Sequence, residues 1–113
     1  MYIAMNRFKV HKGNEKAFED VWINRETHLE HLDGFVVFHL LKGPERDDHT
    51  LYSSHTIWKD YEAFESWTKS EEFRKAHANA GQNKPLYDGH PEFEGFTVVQ
   101  EVEAGTKLAP AAE

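Results

Sequence analysis

The sequence predicts an α+β fold in which a four-stranded antiparallel sheet carries two helices on one face. Strand-like and helix-periodic segments alternate along the chain as β-α-β-β-α-β, and turn or capping residues stand at the junctions. That order builds the split βαβ, or ferredoxin-like, arrangement. The size agrees. A chain of 113 residues, 39% hydrophobic and 29% charged, suits one domain. Such a domain buries roughly 65% of its unfolded surface around a modest core.

Tyr2 to Val10 is apolar with polar interruptions and reads as the first strand, which Lys12-Gly13 breaks. Asn14 stands where it can cap the next helix, with Glu15 in the positive first turn. Ala17, Phe18, Val21, Trp22 and Leu29 recur at helical spacing, so an amphipathic helix is expected over 14–31, closed by Asp33-Gly34. Phe35 to Lys42 is a continuous β-rich run, expected to be buried on both faces. Gly43 to Asp48 is a polar turn, and Leu51 to Lys59 is the returning strand of a hairpin. Asp60 caps a helix carrying Tyr61, Phe64 and Trp67. Ser70 restarts it, with Glu71 and Glu72 in the first turn and Phe73 and His77 inward, and Gly81 ends it. Residues 82–93, with Pro85, Gly89 and Pro91, read as a loop, and Phe93 to Val102 as the last strand. Residues 1–103 then form the domain, and 104–113 a flexible C-terminal tail.

Both helices cover the same sheet face, yet strand residues of both parities are apolar. Phe35, Val37 and Leu41 alternate with Val36, Phe38 and Leu40. A second copy of the chain is the simplest cover for the other face. A homodimer is expected, sheet against sheet, in a dimeric α/β-barrel.

Composition narrows the function. Lys plus Arg is 13 against 20 for Asp plus Glu, a net charge of −7. That argues against nucleic acid and anionic membrane as partners, because neutralising phosphates needs clustered basic charge. Cysteine is absent, which removes disulfide scaffolds, Cys-ligated zinc, iron–sulfur clusters and thiol catalysis together. The opening Tyr2-Ile3-Ala4-Met5 meets Asn6-Arg7 too early for a secretory apolar segment. The apolar run Phe35 to Phe38 is too short for a bilayer. A soluble, cytoplasmic protein is the expectation.

Eight histidines keep metal or haem ligation open. His28 and His31, at i, i+3 on the expected first helix, fall one residue short of i, i+4 ligation and read as a solvated helix end. His11 and His49 fall at turns, and His39 and His55 share parity with apolar strand residues, as core or interface histidines do. His77 differs in setting. It follows Phe73 on the same helix face, and the small Ala76 and Ala80 beside it let a flat ligand approach. Haem iron takes a neutral imidazole as proximal ligand within an apolar pocket. Trp67, ten residues before His77, reaches toward the same face. Asn6 is the only amide within the first strand and shares parity with Ala4 and Phe8. It is either a structural hydrogen-bonding residue or a donor to a bound ligand. No Gly-rich phosphate loop, nucleophile elbow or paired-carboxylate signature is found, so neither flavin nor nicotinamide is expected on this chain.

Several segments then stand in a recognisable order and spacing: Met5-Asn6-Arg7-Phe8, Lys12-Gly13, Leu32-Asp33-Gly34-Phe35, Thr56-Ile57-Trp58-Lys59, Ala63-Phe64-Glu65-Ser66-Trp67, and the run from Lys69 to His77. Over roughly residues 1–80 the chain resembles the haem-degrading monooxygenases of the Isd type, in the antibiotic-biosynthesis-monooxygenase superfamily. That family's active site is an Asn on the first strand, a Trp on the second helix and a His ten residues later; Asn6, Trp67 and His77 match.

The resemblance implies roles. His77 would be the proximal iron ligand, Trp67 would press the porphyrin out of planarity, and Asn6 would donate a hydrogen bond to the dioxygen used. Trp22, Phe64 and Phe73 would line the haem slot. Haem would be substrate and cofactor at once, and a separate reductase or small reductant would donate electrons. The products would be ferrous iron, a linear tetrapyrrole and a one-carbon fragment. Arg25, Arg74 and Lys75 are the local bases available to the propionates. The 82–93 segment departs from the family pattern, and its His90 would cover the haem or compete as a ligand. Two alternatives stand beside this. One is a cofactor-independent monooxygenase of the same superfamily, oxidising a quinol-type aromatic with Trp67 as pocket wall and His77 as base. The other is a non-enzymatic haem-binding protein.

Overall fold

The structure, a computed structural model, describes residues 1–25, 28–77 and 86–105. Its elements are β1 (Tyr2–His11), α1 (Glu15–Ile23), β2 (Phe35–Glu45), β3 (His49–Trp58), α2 (Tyr61–Thr68), α3 (Glu71–His77) and β4 (Tyr87–Thr97). The strands lie in the order β2-β3-β1-β4, each antiparallel to its neighbour. This is the expected ferredoxin-like sheet, with the second helical region in two pieces. Among the described residues no helix is long and apolar enough to cross a membrane.

Because strand side chains alternate between faces, register decides what meets what. Tyr2, Ala4, Asn6, Phe8 and Val10 of β1 pair with Trp58, Thr56, Ser54, Tyr52 and Thr50 of β3, and this set faces the helices. Two core clusters result. Phe8, Val10, Phe18, Tyr52 and Tyr87 pack under α1, while Tyr2, Ala4, Leu29 and Trp58 pack with Phe64 and Trp67 under α2. Hydrogen bonds from β3 hold α1 in place. Thr50 Oγ1 donates to Glu15 at 2.8 Å, and the buried Tyr52 hydroxyl donates to Glu19.

The helix starts at Asp60 and Ser70 form as expected. Asp60 accepts the Ala63 N–H at 2.8 Å, and Ser70 Oγ accepts the Phe73 N–H at 3.1 Å while donating to the Trp67 carbonyl at 2.6 Å. That double use of one hydroxyl turns the chain between α2 and α3. Gly34 lets α2 approach the sheet. Its φ of +83° suits glycine, and a Cβ there would lie 2.5 Å from Ala63 Cβ.

Five expectations are corrected. The first helix ends at Ile23 rather than 31, because the apolar stripe lapses after Trp22 and the Asn24 amide donates to the Asp20 carbonyl at 2.9 Å. His28 and His31 are therefore not on a helix, and His28 has a positive φ of 58°. Asn14 precedes α1 but makes no side-chain cap; Glu15 accepts the Gly13 N–H instead, at 2.9 Å. β2 is not buried on both faces: it is an edge strand with Val36 and Leu41 exposed, and it runs on through Gly43 to Glu45. Finally, residues 87–93 are strand rather than loop, and the last strand ends at Thr97 rather than Val102. Gly89 to Pro91 fall in a bulge between the pairs Arg7–Glu92 and Lys9–Asp88, on an edge strand where a missing N–H costs no ladder bond. The helix stop expected at Gly81 and most of the expected tail lie outside the described residues.

Candidate active site

Between the sheet and the helices lies a cavity of about 510 Å³, within the size range of small-molecule sites. Its walls are mostly aromatic, and α1, α2, α3, β1 and β4 all contribute. Phe18 and Trp22 come from α1, Phe64 and Trp67 from α2, Phe73 and His77 from α3, Asn6 and Phe8 from β1, and Tyr87, Pro91 and Phe93 from β4. The six expected site residues, Asn6, Trp22, Phe64, Trp67, Phe73 and His77, are thus brought into one space.

Helical spacing and the Ser70 turn bring the α2 and α3 side chains together. The Phe73 ring stands edge-on to Trp67 at 4.8 Å and stacks on His77 at 4.2 Å, and His77 lies 5.9 Å from Trp67. His77 Nδ1 lies 2.8 Å from the Phe73 carbonyl oxygen. A carbonyl only accepts, so Nδ1 carries the proton, and in the neutral ring the lone pair is on Nε2. On the facing side Trp22 stacks on Phe38 at 5.7 Å with 15° between planes. Phe64 likewise stacks on Phe93 at 5.7 Å.

Polar groups in this space are few. Asn6 sits mid-strand, opposite Ser54 on one side and Phe93 on the other. None of the described residues hydrogen-bonds its side chain. The Trp67 Nε1–H is buried without a partner. The Arg25 guanidinium lies 4.2 Å from the centre of the Trp22 ring, and burial lowers its pKa. No carboxylate among the described residues pairs with it. A second recess of about 60 Å³ adjoins Asn6 and is lined by Ser54 and Thr56 of β3.

Three expectations about the surroundings change. Of the bases considered for a ligand's carboxylates, Arg25 alone lines the cavity; Arg74 is exposed and pairs with Glu71, and Lys75 is exposed. His90 is not at the site. It lines a polar cavity of about 330 Å³ on the opposite sheet face, with Arg7, Lys9, Arg46, His49 and Glu92. The β4 residues Tyr87 and Phe93 are cavity walls that the loop expectation concealed. Their signal in the sequence was two aromatics sharing the parity of the inward face.

Comparison with known proteins agrees with this geometry. Residues 1–79 match the antibiotic biosynthesis monooxygenase family. A curated relative described as a heme-degrading monooxygenase, from Bacillus thuringiensis (strain Al Hakam), is 32% identical over 81 residues, 72% of this chain and 75% of its own length. Among solved structures, the heme-degrader MhuD from Mycobacterium tuberculosis, with two hemes bound in its active site, aligns at 27% identity with a TM-score of 0.69, covering 91% of this chain and 100% of that one. SnoaB, a cofactor-independent oxygenase from Streptomyces nogalater, aligns at 28% identity with a TM-score of 0.64, covering 89% and 95%. Fold, cavity and family match together identify the chain as a member of the antibiotic biosynthesis monooxygenase family.

Proposed function

We propose that this monooxygenase binds haem in the 510 Å³ cavity and opens its porphyrin ring, releasing iron and a linear tetrapyrrole. The observation that carries the reading is His77. Its Nδ1–H is committed to the Phe73 carbonyl, so Nε2 offers a lone pair at the edge of an aromatic cavity. The residues fit the group in two further ways. The cavity walls are flat and apolar, suited to a macrocycle. Arg25, without a carboxylate partner among the described residues, suits an anionic substituent at the rim.

When bound, the haem supplies both the carbon that is oxidised and the redox-active iron. The protein residues do the rest. His77 would hold the iron through Nε2, since its Nδ1–H is taken by the Phe73 carbonyl. Trp67, held edge-on by Phe73, presses on the macrocycle and limits the poses it can take. The Asn6 amide, free of protein partners among the described residues, donates to the oxygen substrate and orients it. The aromatic walls, Trp22, Phe64 and Phe73 among them, exclude bulk water. Electrons come from a separate donor, and neither flavin nor nicotinamide belongs to this chain in our reading. The enzyme acts in the cytoplasm.

Oxidation of a quinol-type aromatic without a cofactor is the second reading, favoured by the likeness to SnoaB. The deciding experiment incubates haem-loaded protein with reductant and air, with catalase present, and follows the pigment by mass spectrometry. Loss of the Soret band with iron release and a linear tetrapyrrole is expected. A persistent Soret band favours a haem-binding protein, and absence of haem binding favours the quinol-type reading.

The homodimer belongs to the same proposal. The sheet face away from the helices presents Ile3, Met5, Val37, Ile57 and Phe96 around the cross-strand pair His39–His55, whose ring centres are 5.6 Å apart. Arg7 and Lys9 lie beside Asp88, Glu92 and Glu94 on the same face, a mixed-sign pattern suited to a second copy of itself.

A further inference from the structure

The small recess beside Asn6 is lined by Arg25 and His77, which also line the main cavity, and by four further polar groups that have no protein partner among the described residues. They are the Asn6 amide, the Ser54 and Thr56 hydroxyls and the Trp67 indole N–H. Ser54 and Thr56 are buried, 6% and 7% exposed, on the helix-facing side of β3; Ser54 lies directly opposite Asn6 in the ladder, and Thr56 is next along the same face. The Trp67 indole N–H is fully buried without a partner, which costs about 1–3 kcal/mol if nothing fills the recess, and the Asn6, Ser54 and Thr56 side chains border the same space. Native structures avoid this, with protein groups or with ordered water. A water needs two to four polar partners and roughly 10–15 Å³ of accessible space. The recess, at about 60 Å³, offers both.

The location gives such water a use. A monooxygenase inserts one atom of dioxygen into a substrate C–H bond and releases the other as water. That second atom takes two electrons from the external donor and two protons from the medium. Around the main cavity the walls are aromatic, and none of the described acids lines it. Protons therefore need a polar route to the oxygen-binding end of the cavity, where Asn6 stands.

We propose that the recess behind Asn6 is a water site, and that Ser54 and Thr56 are positioning residues holding its water so that protons pass to the oxygen substrate beside Asn6. The hydroxyls are not proton sources of their own. Each accepts from one water and donates to the next, so a proton leaving the chain at Asn6 is replaced from solvent. This inference rests on the monooxygenase chemistry of the proposed function but not on haem: a quinol-type substrate would supply the two electrons and the protons itself, and those protons would still have to reach the second oxygen atom beside Asn6.

The test starts with a high-resolution crystal structure of the full chain without ligand. Ordered water within about 3 Å of at least two of Asn6, Ser54 Oγ, Thr56 Oγ1 and Trp67 Nε1 is expected. A dry recess, or one filled by side chains, overturns the proposal whatever the protein oxidises. The second arm compares Ser54→Ala/Thr56→Val with the conservative Thr56→Ser in haem-loaded protein. The double variant should bind haem as the parent does, turn over at least about tenfold more slowly, and show a larger solvent isotope effect; Thr56→Ser should restore the parent values. Unchanged turnover and isotope effect in a folded double variant would make the water structural and overturn the relay. If haem is neither bound nor degraded by the parent, the haem reading fails, while the crystallographic result still decides the water site.

Discussion

The two faces of the sheet are built from the same strands but to different ends. On β1, Ala4, Phe8 and Val10 are buried under helices, while Ile3 and Met5, one residue away, are only half-buried and Arg7 and Lys9 are exposed. Toward the helices, aromatic rings meet at 4–6 Å but stop short of closing the space around Asn6. Away from the helices, apolar side chains lie flat around a histidine pair. The helix face combines a packed core with a cavity, and the open face leaves apolar side chains exposed, which the proposed dimer would cover. A small domain can spare room for a flat ligand on one side when the other side is completed by a partner.

Substitutions on the two faces should separate these roles. The largest effect falls on the core. Phe18→Ala removes a fully buried ring that touches Phe8, Tyr52 and Tyr87, and about 3–5 kcal/mol of unfolding free energy should go with it, read by chemical denaturation. Trp67→Ala should keep haem binding yet slow ring opening about a hundredfold, because a misplaced substrate costs that order of rate; single-turnover absorbance measures it. Asn6→Ala, likewise, should bind haem and lose turnover; unfolding instead would return Asn6 to a structural role.

Effects on the open face should be smaller for folding and larger for assembly. Phe96→Ser, at an exposed edge position, should change unfolding free energy by less than about 1 kcal/mol while weakening the dimer in sedimentation. Acid should act in the same direction. Burial lowers the His55 pKa, its neighbour His39 adds to this, and its Nδ1 is buried without a partner. A dimer that covers this pair binds fewer protons than two monomers, so association should be strongest at neutral pH and above and fall as pH drops through the imidazole range. Across β1 on the same face, Arg7 and Glu94 pair with each other at 2.8 Å. The smallest effect belongs to Lys16→Ala, which removes an exposed pair with Asp20 and should shift stability by less than about 0.5 kcal/mol.

Much of this molecule was legible in its sequence where local chemistry and tertiary structure agree. Asp60 and Ser70 mark helix starts because their side chains satisfy specific backbone N–H groups, and they do so here. The family resemblance carried by Asn6, Trp67 and His77 implied a shared site, and the three side chains line one cavity. Legibility failed where tertiary context overrides local preference. Gly89 and Pro91 read as turn residues, yet an edge strand with a bulge accommodates both. Leu29 continued a helical pattern and is indeed buried, but from a non-helical segment after Asn24. The place of the Ser54 and Thr56 hydroxyls beside Asn6 depends on the register of two distant strands, which no local spacing rule encodes, whereas Arg25 over Trp22 is a local i, i+3 contact.

The central claim is that His77 Nε2 holds a haem in the helix-side cavity. Titrating haem into the parent chain and into His77→Ala, with circular dichroism to verify folding of both, tests it most directly. A strong Soret band that saturates in the parent and is lost or blue-shifted to free haem in His77→Ala is predicted. No spectral change in the parent, or an identical band in the folded variant, would contradict it.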